Sequence, residues 1–200
     1  MELILVRHGE TSGNALRQYI GRTDLPLNER GSQQIIELRN RLAPLLTKVT
    51  RLSHSPLLRT QQTAELLIPD FDQHSADPRL LELNFGDWEA QTYAELEATA
   101  REQLWRWYDD PWTVAPPNGE TLQDLDIRLS AWHERIACDA SADETLLVVS
   151  HGGPIRWWYA KYVLQDPARF HHLHLPPGGF AHVRRTTDGW TLVEGEITAT

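Results

Sequence analysis

Two short apolar runs frame this chain: Leu3-Ile4-Leu5-Val6 and Thr145-Leu146-Leu147-Val148-Val149 each stop abruptly in a histidine followed by glycine, His8-Gly9 and His151-Gly152. Runs this short, apolar almost throughout and closed by glycine, read as buried strands. Strands of that kind deliver the residues that follow them to the carboxyl edge of a sheet, where open α/β folds bind ligands. If the two are parallel neighbours, His8 and His151 face each other there, far apart in sequence and close in space. Arg7 precedes His8, and Gly9 lets the backbone approach an anion without a Cβ in the way. A guanidinium beside an imidazole suits phosphate. Alone, Arg7-His8-Gly9 reads equally well as a surface turn; the second strand ending in His-Gly shifts that balance.

Bulk properties narrow the class. Two hundred residues with 40% hydrophobic content suit one domain that buries most of its apolar surface. An excess of 28 acidic over 19 basic residues argues against a nucleic-acid or membrane-surface role, so any phosphate site has to be a local concentration of positive charge. The single cysteine, Cys138, cannot form an internal disulfide, and Met1-Glu2-Leu3 lacks the basic region of a signal peptide. The expected location is the cytoplasm. No apolar run approaches the length of a membrane span.

Between the framing strands, Ser12 to Pro26 is a polar loop of the kind that carries function. Asn28 to Leu46 reads as a helix with Asn28 as N-cap and Ile35, Leu38, Leu42 and Leu45 on one stripe. Val49 to Ser53 reads as a strand, and Ser55-Pro56 as the N-cap and first residue of a helix with Leu57, Thr60, Ala64 and Leu67 on its inner face. Arg59 falls in the first turn of that helix, where free N–H groups already favour an anion. Thr121 to Ala137 has a helical stripe of Leu122, Leu125, Leu129, Trp132 and Ile136, and the end of the chain reads as a hairpin from Gly179 to Val193 about an Asp188-Gly189 turn.

Arg7-His8-Gly9-Glu10-Thr11 with the late Ser150-His151-Gly152 resembles the histidine phosphatase superfamily, which includes the phosphoglycerate mutases and many small phosphatases. Ser55 to Ala64 resembles that family's Ser-x-Leu-x-Arg-x-x-x-Thr-Ala motif, and Leu80 to Glu89 its Leu-x-Glu-x-x-x-Gly-x-Trp-Glu motif. The resemblance implies a three-layer α/β/α sandwich with a mostly parallel central sheet and a helical lid insertion. Residues 1–200 would form one domain, with about 88–120 as the lid. It also implies that His8 is the nucleophile, that Arg7, Arg59 and His151 hold the phosphoryl oxygens, and that Asn14 and Gly152 contact the substrate. Glu82 would be the proton donor, with Glu10 and Glu89 as less favoured alternatives. Arg17 and Arg22 could assist in substrate contact, although each reads more readily as a solvated surface arginine.

The chemistry needs such a donor, because an alkoxide leaves poorly unless protonated. It also needs an acceptor for the second nitrogen of His8, and a backbone carbonyl near Gly152 is one candidate. No metal or other cofactor is expected, and the partner is a small phosphomonoester. The oligomeric state is not legible. Adjacent His171 and His172 lack a ligand spacing and read as scattered polar residues.

The length leaves no room for the insertions that resemblance would require of a cofactor-dependent mutase, which favours hydrolysis. The runs Asn84 to Glu89 and Pro117-Asn118-Gly119-Glu120, with the tryptophan-rich segment between them, resemble small phosphatases of the family whose ester carries an aromatic base. Trp105, Trp107 and Trp112 are candidates to stack on that base. Alternatives are a phosphatase of broad specificity for sugar phosphates or phosphoglycerate, and a non-catalytic binder of phosphorylated ligands, for which Glu82 would have no use.

Overall fold

A computed structural model describes residues 1–69, 71–72, 74–139, 141 and 143–199. In chain order the elements are β1 (Glu2–Arg7), α1 (Ser12–Ala15), α2 (Glu29–Leu46), β2 (Arg51–His54), α3 (Leu58–Leu67) and β3 (His74–Ala76). Next come α4 (Tyr93–Thr99), α5 (Arg101–Asp109), α6 (Leu122–Asp139), β4 (Thr145–Ser150) and α7 (Gly152–Tyr162). The chain ends with β5 (Leu173–His174), β6 (Phe180–Thr186), β7 (Gly189–Gly195) and β8 (Thr198–Ala199).

A strand apolar on both faces must be covered on both, and β1 and β4 are. Leu3, Leu5, Leu146 and Val148 point to one side, where they pack with Leu125, Leu129 and Trp132 of α6 and Ile155 and Trp158 of α7. Ile4, Val6, Leu147 and Val149 point to the other, against Ile35, Leu38 and Leu42 of α2 and Ala64 and Leu67 of α3. The alternation of successive side chains across a strand therefore produces three layers from two apolar runs.

The main sheet has the order β3-β2-β4-β1-β6-β7. Strands β1 to β4 are mutually parallel, and the hairpin β6–β7 adds two antiparallel strands at one edge. The register of β1 on β4 runs from Glu2↔Thr145 to Arg7↔Ser150, so both chains leave the sheet at the same height. His8 and His151 follow directly.

Local signals place the flanking helices. The Asn28 side chain caps α2 by accepting from Gly31 N at 2.7 Å, as its sequence position predicts. In contrast, α3 begins at Leu58, with Leu57 as an N-cap that makes no side-chain hydrogen bond. Ser55, expected as that cap, lies two residues earlier and accepts only a long bond, 3.5 Å, from Leu57 N. The hairpin turn also sits one residue earlier than expected, since Gly189 already pairs with Thr186. Between Trp88 and Glu120, α4 and α5 build a small core of their own from Trp88, Leu96 and Leu104.

If the sheet carries the core, Leu147→Ala in β4 should cost about 2–5 kcal/mol, because this fully buried side chain leaves a cavity between layers. Ile36→Ala, on the 41% exposed side of α2, should change stability by about 0.5 kcal/mol or less. Denaturant unfolding of both variants checks the contrast, and equal losses would contradict it.

Candidate active site

His8 emerges from β1 buried, and its ring Nδ1 lies 2.7 Å from the carbonyl oxygen of Gly9. A carbonyl only accepts, so Nδ1 carries the proton and donates, leaving Nε2 with its lone pair. The acceptor that fixes this tautomer is thus the next residue's own carbonyl. A carbonyl near Gly152, the candidate named from sequence, is not the partner. Gly9 itself packs directly on α2, where a Cβ would lie 2.4 Å from Gly31 O.

The His151 ring stands edge-on to His8 with centroids 5.1 Å apart, as the strand register requires. Its Nδ1 accepts from Arg59 Nε at 3.2 Å, so its Nε2–H donates to Ser55 Oγ at 2.8 Å. Ser55 therefore belongs to this constellation. Its position just beyond the carboxyl end of β2, in the same parallel sheet, is the signal that could have found it.

Two arginines supply positive charge. Arg59, 1% exposed, donates Nη1 to Thr23 O at 2.8 Å and Nη2 to Gly21 O at 2.7 Å. Arg7 donates Nη1 to Leu175 O at 2.6 Å, while its Nε is buried and meets no acceptor among the described residues. A buried donor without a partner is unfavourable unless a ligand takes it. Gly152 makes room at this point, since a Cβ there would come within 3.2 Å of the Arg7 guanidinium carbon. A third arginine, Arg156, donates Nε to Gly152 O at 3.0 Å and lies 4.8 Å over the Phe170 ring. None of the sequence motifs singled out Arg156.

Glu82 lies on an irregular segment held by Arg128, which donates to the carbonyls of Arg79 and Glu82 at 2.7 and 3.1 Å. Its carboxylate accepts from Leu83 N at 2.9 Å and from Gly153 N, in the first turn of α7, at 3.1 Å. A Cβ on Gly153 would stand 2.2 Å from Glu82 Oε1, so the carboxylate reaches the helix start only because residue 153 is glycine. The two alternative glutamates are engaged elsewhere. Glu10 binds Asn28 Nδ2 at 3.0 Å and Arg30 at 3.4 Å. Glu89 accepts donors from Gly21, Arg22, Thr23 and Phe85. Burial raises the Glu89 pKa, but hydrogen bonds from Thr23, Arg22 and Gly21 outweigh it and hold the carboxyl ionised below its ordinary range.

Asn14 sits in α1, just after this turn, and its Oδ1 accepts from Thr11 N at 3.1 Å in a capping box. That leaves its Nδ2 as the end able to donate to a ligand. Arg22, read as a surface residue, makes an ion pair with Glu120 at 3.4 Å. Among the described residues, no three His, Cys, Asp or Glu side chains are grouped to hold a metal ion.

Beyond Glu82, Gly153 and Arg156 opens a cavity of about 350 Å³ walled by Leu83, Phe85, Trp107, Tyr108, Leu122 and Phe170. Of the three tryptophans considered from sequence, only Trp107 lines it. Trp112 instead lies 5.6 Å from Trp157 and lines the adjoining groove, and Trp105 is 46% exposed. Helical spacing shows which residues share a face; it does not show which face meets a cavity.

Comparison with known proteins gives the family. The family model described as histidine phosphatase superfamily (branch 1) matches residues 3–198. The adenosylcobalamin/alpha-ribazole phosphatase of Salmonella typhimurium is 34% identical over 183 residues, covering 89% of this chain and 87% of that protein. Among solved structures, the alpha-ribazole phosphatase from Shigella flexneri superimposes with a TM-score of 0.85 at 28% identity, over 100% of this chain and 96% of that one. A mycobacterial glucosyl-3-phosphoglycerate phosphatase gives a TM-score of 0.81 at 25% identity, over 96% of each chain.

Burial, Arg59 and Arg7 together hold the His8 ring well below the ordinary histidine pKa. Burial, Arg59 and His8 do the same to His151. Both rings stay neutral in the folded protein while the unfolded chain takes up protons near pH 6.5. The unfolded state then binds more protons, so stability should fall as pH drops below about 6.5, on the order of 1 kcal/mol per pH unit for each ring. His8→Asn should flatten the dependence of unfolding free energy on pH between about 6.5 and 5; an unchanged slope would contradict the neutral assignment.

Proposed function

Because this chain belongs to the histidine phosphatase superfamily, we propose that it hydrolyses its phosphomonoester through a phosphohistidine on His8 and that its substrate is α-ribazole 5′-phosphate, in assembly of the cobalamin lower loop. The observation that carries this reading is the place of Glu82. It stands at the boundary between the pocket formed by the charged Arg7 and Arg59 with the neutral His151 ring and an apolar, aromatic-walled cavity. A phosphoryl group held on one side of that carboxyl puts its leaving oxygen beside it and the remainder of the ester in the cavity.

The neutral Nε2 of His8 attacks phosphorus, and the bond to the leaving oxygen breaks as Glu82 protonates that oxygen. Arg7, Arg59 and the Gly152 N–H at the start of α7 oppose the charge on the equatorial oxygens. Burial lowers the Arg7 pKa to about 10, with Arg156 and Arg59 adding to the shift and Glu82 opposing it, and the group stays charged at neutral pH. In the second step Glu82, now a carboxylate, takes a proton from water as it attacks the phosphohistidine, which releases phosphate and restores His8.

The cavity suits a flat base: Phe85, Trp107 and Phe170 offer ring faces and edges within a volume ample for a bicyclic ring and a ribose. The sequence runs around Asn84 to Glu89 and Pro117 to Glu120 point to the same substrate group. A second reading, a phosphatase for phosphoglycerate-type esters, is favoured by Arg156, whose guanidinium in the cavity wall would pair with a carboxylate.

The specificity constant for α-ribazole 5′-phosphate, measured with chelator beside sugar phosphates, nucleotides and phosphoglycerates, should exceed the others by several orders of magnitude. A flat profile, or a preference for phosphoglycerate, would favour the second reading. Glu82→Gln should slow hydrolysis of that alkyl ester by about 10²–10⁴-fold, the scale of a lost general acid. It should slow p-nitrophenyl phosphate far less, because that leaving group departs without a proton, and equal losses on both esters would remove Glu82 as the acid.

A further inference from the structure

Glu89 takes no part in the chemistry above, yet it is one of the most heavily hydrogen-bonded carboxylates near the site. Its oxygens accept from Gly21 N at 3.0 and 3.1 Å, Arg22 N at 2.9 Å, Thr23 N at 3.0 Å and Thr23 Oγ1 at 2.6 Å. Phe85 N adds a further bond at 3.2 Å. The loop gathered this way is the one whose carbonyls hold Arg59. The peptide group joining Gly21 to Arg22 points its N–H at Glu89 and its C=O at Arg59 Nη2, so one peptide dipole spans the anion and the cation. Hydrogen bonds in such a chain polarise and strengthen one another where water is excluded. Thr23 repeats the pattern, with N–H and hydroxyl on Glu89 and its carbonyl on Arg59 Nη1. Gly21 makes this possible, because a Cβ there would lie 2.0 Å from Leu83 O and 2.5 Å from Glu89 Oε1.

We propose that Glu89 is a positioning residue, which fixes the Gly21–Thr23 loop so that Arg59 presents its guanidinium to the phosphoryl oxygens and its Nε to His151. The inference rests on the reading of Arg59 as a phosphate ligand. Its Phe85 contact also ties this loop to the segment that carries Glu82, so one carboxylate sets two sides of the site. Replacing an oxygen by an amide would bring N–H groups against N–H groups. The loop would then shift, taking the two carbonyls away from Arg59.

The test is a double-mutant cycle of Glu89→Gln with Arg59→Gln, read by the affinity for inorganic phosphate and by kcat for p-nitrophenyl phosphate. Both are independent of the natural substrate. Glu89→Gln, folded as judged by its unfolding midpoint, should weaken phosphate binding and lower kcat about 100-fold, the scale of a one-ångström misplacement. In the Arg59→Gln background it should add little, because the residue through which it acts is gone. Unchanged phosphate affinity in folded Glu89→Gln, or losses that multiply in the double variant, would overturn the proposal. Where Glu89→Gln does not fold, Thr23→Val removes a single donor and should give a smaller loss in the same direction; normal affinity there would overturn the proposal equally. If Arg59→Gln itself binds phosphate normally, the phosphate-site reading fails and this inference with it. Sensitivity to Arg59 without sensitivity to Glu89 defeats this inference alone.

Discussion

Everything at the site hangs on the parallel pairing of β1 with β4, in the register that sets Arg7 opposite Ser150. A slip of one residue would turn Leu3, Leu5, Leu146 and Val148 from one core layer to the other, and both layers are apolar and filled. The core therefore locks the register, and the register puts His8 beside His151. Residues far apart in sequence become neighbours because the close-packed layers on both faces hold the strands in this alignment.

Positive charge crowded into a buried space is the second constraint. Arg7, Arg59 and Arg156 each lose hydration, and burial is the leading cause of the downward shift at all three. What makes this tolerable is a set of backbone carbonyls: Leu175 for Arg7, Gly21 and Thr23 for Arg59, Gly152 and Leu173 for Arg156. Burial, with Arg59 and Arg7 beside it, keeps His8 unprotonated. A crowd of buried cations thus sits beside an imidazole with a free lone pair, as the proposed phosphohistidine route requires, in a chain whose relatives include alpha-ribazole phosphatases.

Much of the fold was legible because its determinants are local. Strands β1 and β4 announce themselves as unbroken apolar runs, Asn28 caps α2 through its own side chain, and α6 keeps its stripe from Leu122 to Ile136. Ser55 was misread for a physical reason. Ser-Pro before a helical pattern is a good start signal, but its hydroxyl is taken by His151 and the helix begins at Leu58 instead. The polar, exposed strand β3 carries no apolar pattern to detect. Motifs named His8, Arg59, Glu82 and His151, and the structure brings them together. The carbonyl that orients His8, the place of Arg156 and the choice of Trp107 over Trp112 depend on tertiary packing that spacing alone does not encode.

A covalent phosphoryl group at His8 Nε2 is the intermediate that the proposed mechanism requires. The direct measurement is a rapid quench of enzyme with substrate in metal-free buffer, followed by peptide mapping under alkaline conditions that preserve phosphohistidine. An acid-labile phosphoryl group is expected on the peptide containing His8, formed and discharged at rates consistent with turnover. Turnover with no label on His8, or with the label on another residue, would contradict it.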